Sequence, residues 1–217
     1  MSERFRKKDW KERRWQVMRI SLVILVALCT AYLSGCSNEQ EQQNSNQAAS
    51  APTASGGKHQ TAVIETTAGT IKFQLLDDEA PKTAENFEQL ANRGFYNGTI
   101  FHRTISGFMI QGGDPLGNGT GGQTATGAPL PNEIRPGSPV YQGGYKRGFV
   151  AMANRGRPET GTSQFFIMHQ NNPSLPSNYT VFGRVTEGMD VVDKIATAPT
   201  VGDRPTNPMR MNKVYVQ

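Results

Sequence analysis

Three short apolar runs carry the side chains that could do chemistry in this chain. They are Phe101–Arg103 (FHR), Phe108–Asp114 (FMIQGGD) and Ser163–Ile167 (SQFFI). Within them, an arginine and two amides, Gln111 and Gln164, lie among aromatic and aliphatic residues. No nucleophile–base pair and no set of metal ligands accompanies them in these runs. Residues of these types can bind an apolar peptide and donate a hydrogen bond to it, but they are not equipped to cleave a covalent bond.

One reaction that suits these residue types is rotation about the amide bond that precedes a proline. Its barrier, roughly 18–20 kcal/mol, is the amide resonance lost on twisting. In the twisted transition state the nitrogen lone pair is no longer delocalised, so the nitrogen accepts a hydrogen bond better than in the planar ground states. A fixed donor aimed at that nitrogen therefore accelerates the rotation. Arginine suits this role because its guanidinium is rigid and always charged.

Arg103 is the candidate donor. Side chains on a strand alternate between two faces, so we predict that Phe101 and Arg103 share one face and that His102 lies on the other. Judged from spacing alone, a surface arginine on an edge strand is the commoner explanation. Gln111 and Gln164 could bond the backbone of a bound peptide, or they could be structural polar groups.

The same motifs resemble those of the cyclophilin family of peptidyl-prolyl cis–trans isomerases, and the resemblance extends from about Ala62 to Val216. It implies an isomerase of proline-containing polypeptides, with Arg103 and Gln111 as catalytic residues and with no cofactor or metal. We expect a monomer that does not bind nucleic acid. The substrate-binding residues that we assign are Phe101, Phe108, Met109, Gly121, Ala153, Asn154, Gln164, Phe166, Leu175 and Tyr179. Taken singly, each apolar residue in this set could instead be ordinary core.

The sequence departs from the familiar pattern of this family in three places. Ser174 stands where many members carry Trp, which leaves one wall of the proline pocket without its usual aromatic residue. In members that bind cyclosporin tightly, that Trp usually contributes to binding. Tyr179 stands where many members have His, and it remains a hydrogen-bonding aromatic. The loop Arg155–Glu159 is slightly longer than the commonest form.

Other interpretations of the domain are a chaperone that binds proline peptides without turnover and a purely structural envelope lipoprotein. Neither requires an arginine aimed at the prolyl nitrogen, so the presence of Arg103, Gln111 and Phe166 together favours the enzyme. A structural zinc site is not indicated, because the three histidines are scattered and lack paired cysteines.

Residues 1–35 have the features of a signal peptide. Basic residues extend to Arg19, an apolar run follows at Ile20–Tyr32, and the segment Leu33–Cys36 (LSGC) resembles a bacterial lipoprotein box. The apolar run is shorter than the roughly 20 residues of a membrane span. We therefore predict that Cys36 is lipidated and becomes the mature N-terminus of an extracytoplasmic, membrane-anchored protein. The alternative is an uncleaved signal anchor with an incidental cysteine.

The basic character of the chain is confined to this leader. The chain has 23 basic and 18 acidic residues, and the leader alone contains eight basic and three acidic ones. The remainder therefore carries no formal net charge. The sequence pI of about 9.3 is accordingly no evidence for nucleic-acid binding.

Residues 36–60 follow as the lipidated N-terminus and a flexible linker. The part from Ser37 to Gly57 is rich in Ser, Asn, Gln, Ala and Gly, a composition that cannot bury enough apolar surface to fold. We predict one domain after it, at residues 61–217. At about 155 residues, such a domain can bury enough surface to fold without disulfides.

The domain reads as a series of short strands with two helices. Polar and apolar residues alternate on both sides of Gly69, which predicts a hairpin of Ala62–Ala68 and Thr70–Leu76. Pro81 and Gly94 mark the two ends of a predicted helix, and acidic residues precede its start. The remaining predicted elements are strands at Ile100–Thr104, Phe108–Gln111, Phe149–Ala153, Gln164–Met168, Val181–Val185 and Met211–Val216, and a helix at Met189–Ala196. Cyclophilins are mainly β, and we predict their closed eight-stranded antiparallel barrel capped by two α-helices.

Overall fold

The predicted hairpin opens the part of the chain that the computed structural model describes, residues 59–217. Strands β1 (Thr61–Thr66) and β2 (Gly69–Leu75) pair antiparallel around a tight turn. Their alternating apolar side chains, such as Ile64 and Phe73, are completely buried on one face of the pair. The predicted signal peptide, Cys36 and the linker up to residue 58 lie outside the described residues.

The other elements agree closely with the predicted ones in number and type. In chain order they are α1 (Pro81–Asn92), β3 (Arg103–Ile105), β4 (Met109–Gly112), β5 (Phe149–Met152), β6 (Phe165–Met168), β7 (Val181–Glu187), α2 (Met189–Ala196), β8 (Thr200–Val201), β9 (Arg204–Pro205) and β10 (Met211–Val216). The prediction of a mainly-β domain with two helices is confirmed within residues 59–217. The short β8–β9 hairpin was not predicted.

Eight of the strands form one sheet in the order β10-β1-β2-β7-β5-β6-β4-β3, and all of its pairs are antiparallel. The predicted closure of this sheet is wrong: β10 and β3 are its two edges, so the sheet is an open half-barrel. Strand β3 forms no ladder with β10, and its Thr104 amide donates to the carbonyl of Asp203 at 2.8 Å. Only isolated bonds cross the gap, for example from the Phe101 amide to the carbonyl of Met209 at 3.0 Å.

Helix α1 begins at Pro81 and ends before Gly94, as predicted, but the acidic residues that precede it do not cap it. Ala80 stands at the N-cap and makes no side-chain cap. Instead, the carboxylate of Glu133 accepts hydrogen bonds from the backbone amides of Lys82 at 3.0 Å and Thr83 at 2.8 Å. A distant loop thus satisfies the amide groups that a helix start leaves unpaired.

The buried apolar side chains form two clusters, and the two neighbouring phenylalanines of β6 belong to different ones. Phe165 is fully buried in the larger cluster, where its ring contacts that of Phe87 from α1 at 5.5 Å between centroids. Phe166 points to the opposite face and belongs to a smaller cluster with Met109 and Tyr145. Among the described residues, no helix is both long enough and apolar enough to span a membrane.

Candidate active site

The register of three strands places the central site residues in one row. Arg103 on β3 lies directly opposite Gln111 on β4, and Gln111 lies opposite Phe166 on β6. Residues that are directly opposite in an antiparallel pair point to the same face, with Cβ atoms about 4.5–5.5 Å apart. A cation, an amide and an aromatic ring are therefore presented side by side.

An apolar cavity of about 260 Å³ opens beside this row. Its volume lies below the roughly 300–1,000 Å³ of pockets for drug-sized ligands, which fits a single apolar side chain. The residues that line it are Arg103, Phe108, Met109, Gln111, Ala153, Asn154, Phe166, Leu175 and Tyr179. Of the residues that the structure describes, Arg103 is the only cation in this lining.

An acidic partner holds the guanidinium of Arg103. Its Nε donates to Oδ2 of Asp203 at 3.0 Å, and Asp203 lies in the turn between β8 and β9. Both side chains are about half exposed, at 41% and 50%. A surface ion pair of this kind contributes at most about 1 kcal/mol to stability, so its main effect is on orientation. Within residues 59–217 the terminal nitrogens of Arg103 make no hydrogen bond and can reach a ligand.

A chain of amides extends from the apolar cavity into a second one of about 100 Å³. The Nε2 of Gln164 donates to the carbonyls of Gly119 at 3.0 Å and Gly121 at 2.8 Å. Because both of these partners are acceptors, the oxygen of Gln164 must face Gln111, whose Nε2 donates to it at 2.9 Å. The side-chain oxygen of Gln111 is thereby left to accept a hydrogen bond in the groove.

A buried carboxylate shapes the loop that carries these carbonyls. Asp114 is fully buried, and it accepts hydrogen bonds from the backbone amides of Leu116, Asn118 and Gly119. Burial alone would raise the pKa of Asp114, but these amides and that of Gly121 outweigh burial and lower it. Gly121 must be glycine here, because an added Cβ would collide with the Asp114 carboxylate.

A buried tyrosine holds Tyr179, which lines the apolar cavity. The hydroxyl of Tyr145 donates to the carbonyl of Tyr179 at 2.8 Å and accepts from the amide of the same residue at 2.9 Å. Burial raises the pKa of the Tyr145 hydroxyl, which therefore stays protonated. The ring of Tyr179 packs edge-to-face on Phe166 at 5.3 Å.

A third cavity of about 340 Å³ continues the groove past the loop Arg155–Glu159. It shares Arg155, Thr160 and Thr162 with the second cavity, and the second shares Gln111, Ala153 and Asn154 with the first. The three cavities thus form one continuous groove that could accommodate an extended peptide.

The structure brings together almost all of the predicted site residues. Arg103, Gln111 and nine of the ten substrate-binding candidates line the groove. The assignment of Phe101 is wrong: it is completely buried in the larger core cluster and lines none of the three cavities described. Strand β3 begins only at Arg103, so strand alternation does not extend back to Phe101. Ser174 is exposed and does not line the apolar cavity.

His102 lines none of the three cavities of the groove. It is 6% exposed, and neither of its ring nitrogens has a hydrogen-bond partner within the described residues. Burial lowers the pKa of His102, and the charges of Arg204 and Arg103 lower it further against the opposing effect of Asp114. The imidazole is therefore neutral near pH 7.

Sequence reasoning missed three residues that orient the site: Asp203, Asp114 and Tyr145. Asp114 could have been found, because an aspartate followed closely by Gly117 and Gly119 is typical of a turn in which the carboxylate bonds backbone amides. No comparable local signal marks the other two.

His59, Asp77 and Asp78 could hold a metal ion, because their ligand atoms lie within 4.8 Å of one another. None of these three residues lines any of the three cavities of the groove.

The fold is an open half-barrel with two helices, and its site is a proline-sized apolar cavity with an arginine at the edge. This combination is typical of the cyclophilin class. A family model described as cyclophilin type peptidyl-prolyl cis-trans isomerase/CLD matches residues 61–216. The chain therefore belongs to this family, and it is a peptidyl-prolyl cis–trans isomerase.

Relatives with that activity in their names match most of their own length. Peptidyl-prolyl cis-trans isomerase CYP18-1 of Arabidopsis thaliana is 45% identical over 159 residues, which are 72% of this chain and 95% of that protein. Peptidyl-prolyl cis-trans isomerase-like 1 of Homo sapiens is 42% identical over 153 residues, which are 70% of this chain and 89% of that protein.

Solved structures show the same fold. A cyclophilin type isomerase of Cryptosporidium parvum superposes with a TM-score of 0.68 at 34% identity, covering 73% of this chain and 98% of that one. A second structure of that protein, in the presence of the dipeptide Ala-Pro, gives a TM-score of 0.67 at 33% identity and covers 72% and 98% of the two chains.

Proposed function

We propose that this chain isomerises X–Pro bonds of exported polypeptides while a lipid on Cys36 holds it at the extracytoplasmic face of a membrane. It acts as a monomer and assists the folding of its clients after export. The observation that carries the catalytic part is the row formed by Arg103, Gln111 and Phe166 beside the apolar cavity.

In the proposed mechanism the proline ring occupies the apolar cavity, against Phe108, Met109 and Phe166. The side-chain oxygen of Gln111 and the backbone of Asn154 hold the peptide on either side of the ring. A related protein has been crystallised in the presence of Ala-Pro, which supports a proline dipeptide as the minimal ligand of this cavity.

Arg103 supplies the donor in this mechanism. As the amide twists, one of its terminal nitrogens donates to the prolyl nitrogen, while Asp203 keeps the guanidinium in place. Because the planar ground states offer a much poorer acceptor, this bond stabilises the transition state selectively. The reaction needs no proton transfer, since Arg103 is charged throughout the physiological pH range.

The anchor is supported by the leader sequence alone, because the family match begins only at residue 61. A lipoprotein box at Leu33–Cys36 follows an apolar run, and the residues from 37 to 60 would tether the domain to the membrane. A random coil of that length has a reach of about 25 Å. The domain could then meet chains as they emerge at the membrane surface.

The anchor is tested by palmitate labelling of intact cells that express the full chain. Cys36→Ser should abolish the label and the removal of the leader, whereas the matched control Cys29→Ser should keep both. Label retained in Cys36→Ser, or lost in both variants, would contradict the anchor. Two or three acyl chains anchor a protein stably where one chain is marginal, so the labelled and processed protein should stay in the membrane fraction.

A further inference from the structure

A buried histidine behind the groove makes hydrogen bonds with both of its ring nitrogens. His169 follows strand β6 and is 7% exposed. Its Nδ1 lies 2.9 Å from the backbone nitrogen of Gly107, and its Nε2 lies 3.3 Å from Oδ1 of Asp193. An amide N–H can only donate, so Nδ1 must be the acceptor and the proton must be on Nε2. The carboxylate of Asp193 then accepts from Nε2.

Arg147 fixes the carboxylate in this position. Its two terminal nitrogens donate to Oδ1 and Oδ2 of Asp193 at 2.6 and 2.8 Å, a bidentate geometry. The hydrogen bond from Arg147 is the main reason why the pKa of Asp193 is lowered, so Asp193 remains an ionised acceptor. Arg147 also donates to the backbone carbonyl of His169 at 2.5 Å. The imidazole is therefore held in one orientation and one tautomer.

The group at the other end of this chain is the turn that joins β3 to β4. Gly107 lies in that turn with a φ of +79°, a conformation that favours glycine, and Phe108 follows it. The backbone amide of His169 donates to the carbonyl of Phe108 at 2.8 Å. His169 thus holds the turn at two successive residues, once through its ring and once through its backbone.

The turn matters because Phe108 is a wall of the apolar cavity. Gly107 is exposed, so its amide would find water as a partner if the histidine were absent. The bond to His169 therefore adds little to the stability of the whole fold. What it supplies is a fixed position for the Phe108 ring relative to β6.

We propose that His169, oriented by Asp193 and Arg147, is a positioning residue that fixes the Phe108 wall of the cavity through the amide of Gly107. The inference rests on the proposed role of this cavity as the proline site. His169 does not line the groove and does not touch the reacting atoms. Its loss should therefore weaken substrate binding and leave the chemical step at Arg103 unchanged.

Two conservative variants separate the two hydrogen bonds of the imidazole. In His169→Asn the amide oxygen occupies the position of Nδ1 and can still accept from Gly107. In His169→Gln the amide reaches the position of Nε2 and can still donate to Asp193, but no acceptor remains for Gly107. Glu187→Gln is the control, since it removes one partner of an exposed ion pair with Lys72 that lies outside the groove.

The measurements are KM and kcat for a proline tetrapeptide in a protease-coupled assay, and the exchange rate of the Gly107 amide by NMR. Loss of a hydrogen bond of ordinary strength changes an equilibrium constant by about three- to tenfold. We expect KM and the exchange rate to rise by that factor in His169→Gln, with kcat within about twofold of the unaltered protein. His169→Asn should lie between the unaltered protein and His169→Gln, because it keeps the acceptor for Gly107 but loses the bond to Asp193. Glu187→Gln should stay within about twofold in all three quantities.

Equal KM values in the Asn and Gln variants would overturn the inference, and so would a fall in kcat at constant KM. A change confined to the melting temperature would show a purely structural histidine and would overturn it as well. If the unaltered protein lacks isomerase activity, the proposed function fails instead, and the two failures are thereby distinguished.

Discussion

The contact between Arg103 and Asp203 allows the catalytic proposal to be tested quantitatively. Among residues 59–217, Arg103 is the only cation that lines the apolar cavity, so no other cation of this lining can replace it as a charged donor. Loss of one preorganised donor typically lowers the rate by about two to three decades. We therefore expect Arg103→Ala to lower kcat/KM by about 100- to 1,000-fold. Arg103→Lys should also be poor, because an ammonium lacks the fork that binds Asp203 and the substrate together.

Asp203 should have a much smaller effect, which can also be worked out from the structure. The ion pair joins two half-exposed side chains at 3.0 Å, and such pairs contribute about 0.2–1 kcal/mol. If all of that serves to aim Arg103, Asp203→Ala should lower kcat/KM by about fivefold at most. Asp203→Asn keeps an oxygen that can accept from Nε, so it should lie between the unaltered protein and Asp203→Ala.

The two residues should also be coupled in a double-mutant cycle. Once Arg103 is alanine, Asp203 has nothing to orient, so Asp203→Ala should then have no further effect on kcat/KM. All variants are measured in the protease-coupled assay with one proline tetrapeptide, and their melting temperatures should stay within about 2–4 °C of the unaltered protein. Additive losses, or an Arg103→Ala variant with near-normal turnover, would refute the reasoning.

The remaining predictions concern pH, inhibition and stability. Because His102 is neutral and lines none of the three cavities, kcat should be nearly flat from about pH 6 to 8.5, and His102→Gln should keep most activity. A sigmoidal loss of activity near pH 6.5 that disappears in this variant would reveal a proton transfer. Burial lowers the pKa of His102, so its protonation opposes folding. The free energy of unfolding, measured by urea titration, should therefore fall as the pH drops below about 6.5, and it should fall less in His102→Gln. Inhibition by cyclosporin should be weak, and Ser174→Trp should strengthen it by up to about 30-fold in a titration. Tight inhibition of the unaltered protein would contradict the role given to position 174. Glu133→Ala should lower stability by about 1 kcal/mol, or about 2–4 °C in the melting temperature, because the start of α1 loses its cap; an unchanged melting temperature would show that water replaces the carboxylate.

Elements whose signals are local could be predicted from the sequence. Helix α2 and strand β10 have the predicted bounds, and the hairpin of β1 and β2 differs from its prediction by one or two residues at its ends. In each case the signal is local. The apolar periodicity lies within the element, and a glycine or proline lies near one of its ends. The candidate residues of the groove came instead from the resemblance to the cyclophilin motifs, and the register brings the continuous stretches Phe108–Gln111 and Gln164–Phe166 together.

Features that depend on pairing between distant strands could not be predicted in this way. The start of β3 is set by where it meets β4, and this start decides that Arg103 faces the groove while Phe101 enters the core. The partner of the Thr104 amide is likewise distant in the chain, because this amide donates to the carbonyl of Asp203 and not to β10. Periodicity within a single segment contains no information about either choice.

The orienting residues show why a motif identifies the chemistry but not its efficiency. Asp203 is 100 positions from Arg103 in the chain, and Tyr145 is 34 positions from Tyr179. Each contributes one polar atom to a residue whose own motif is local, so neither is visible until the fold is known. The aim of Arg103 depends on a two-stranded hairpin that forms only one edge of the site. Substitutions in the turn at Gly202–Asp203 should therefore change the rate of isomerisation while the FHR and FMIQGGD motifs, and the class of reaction that they identify, stay the same.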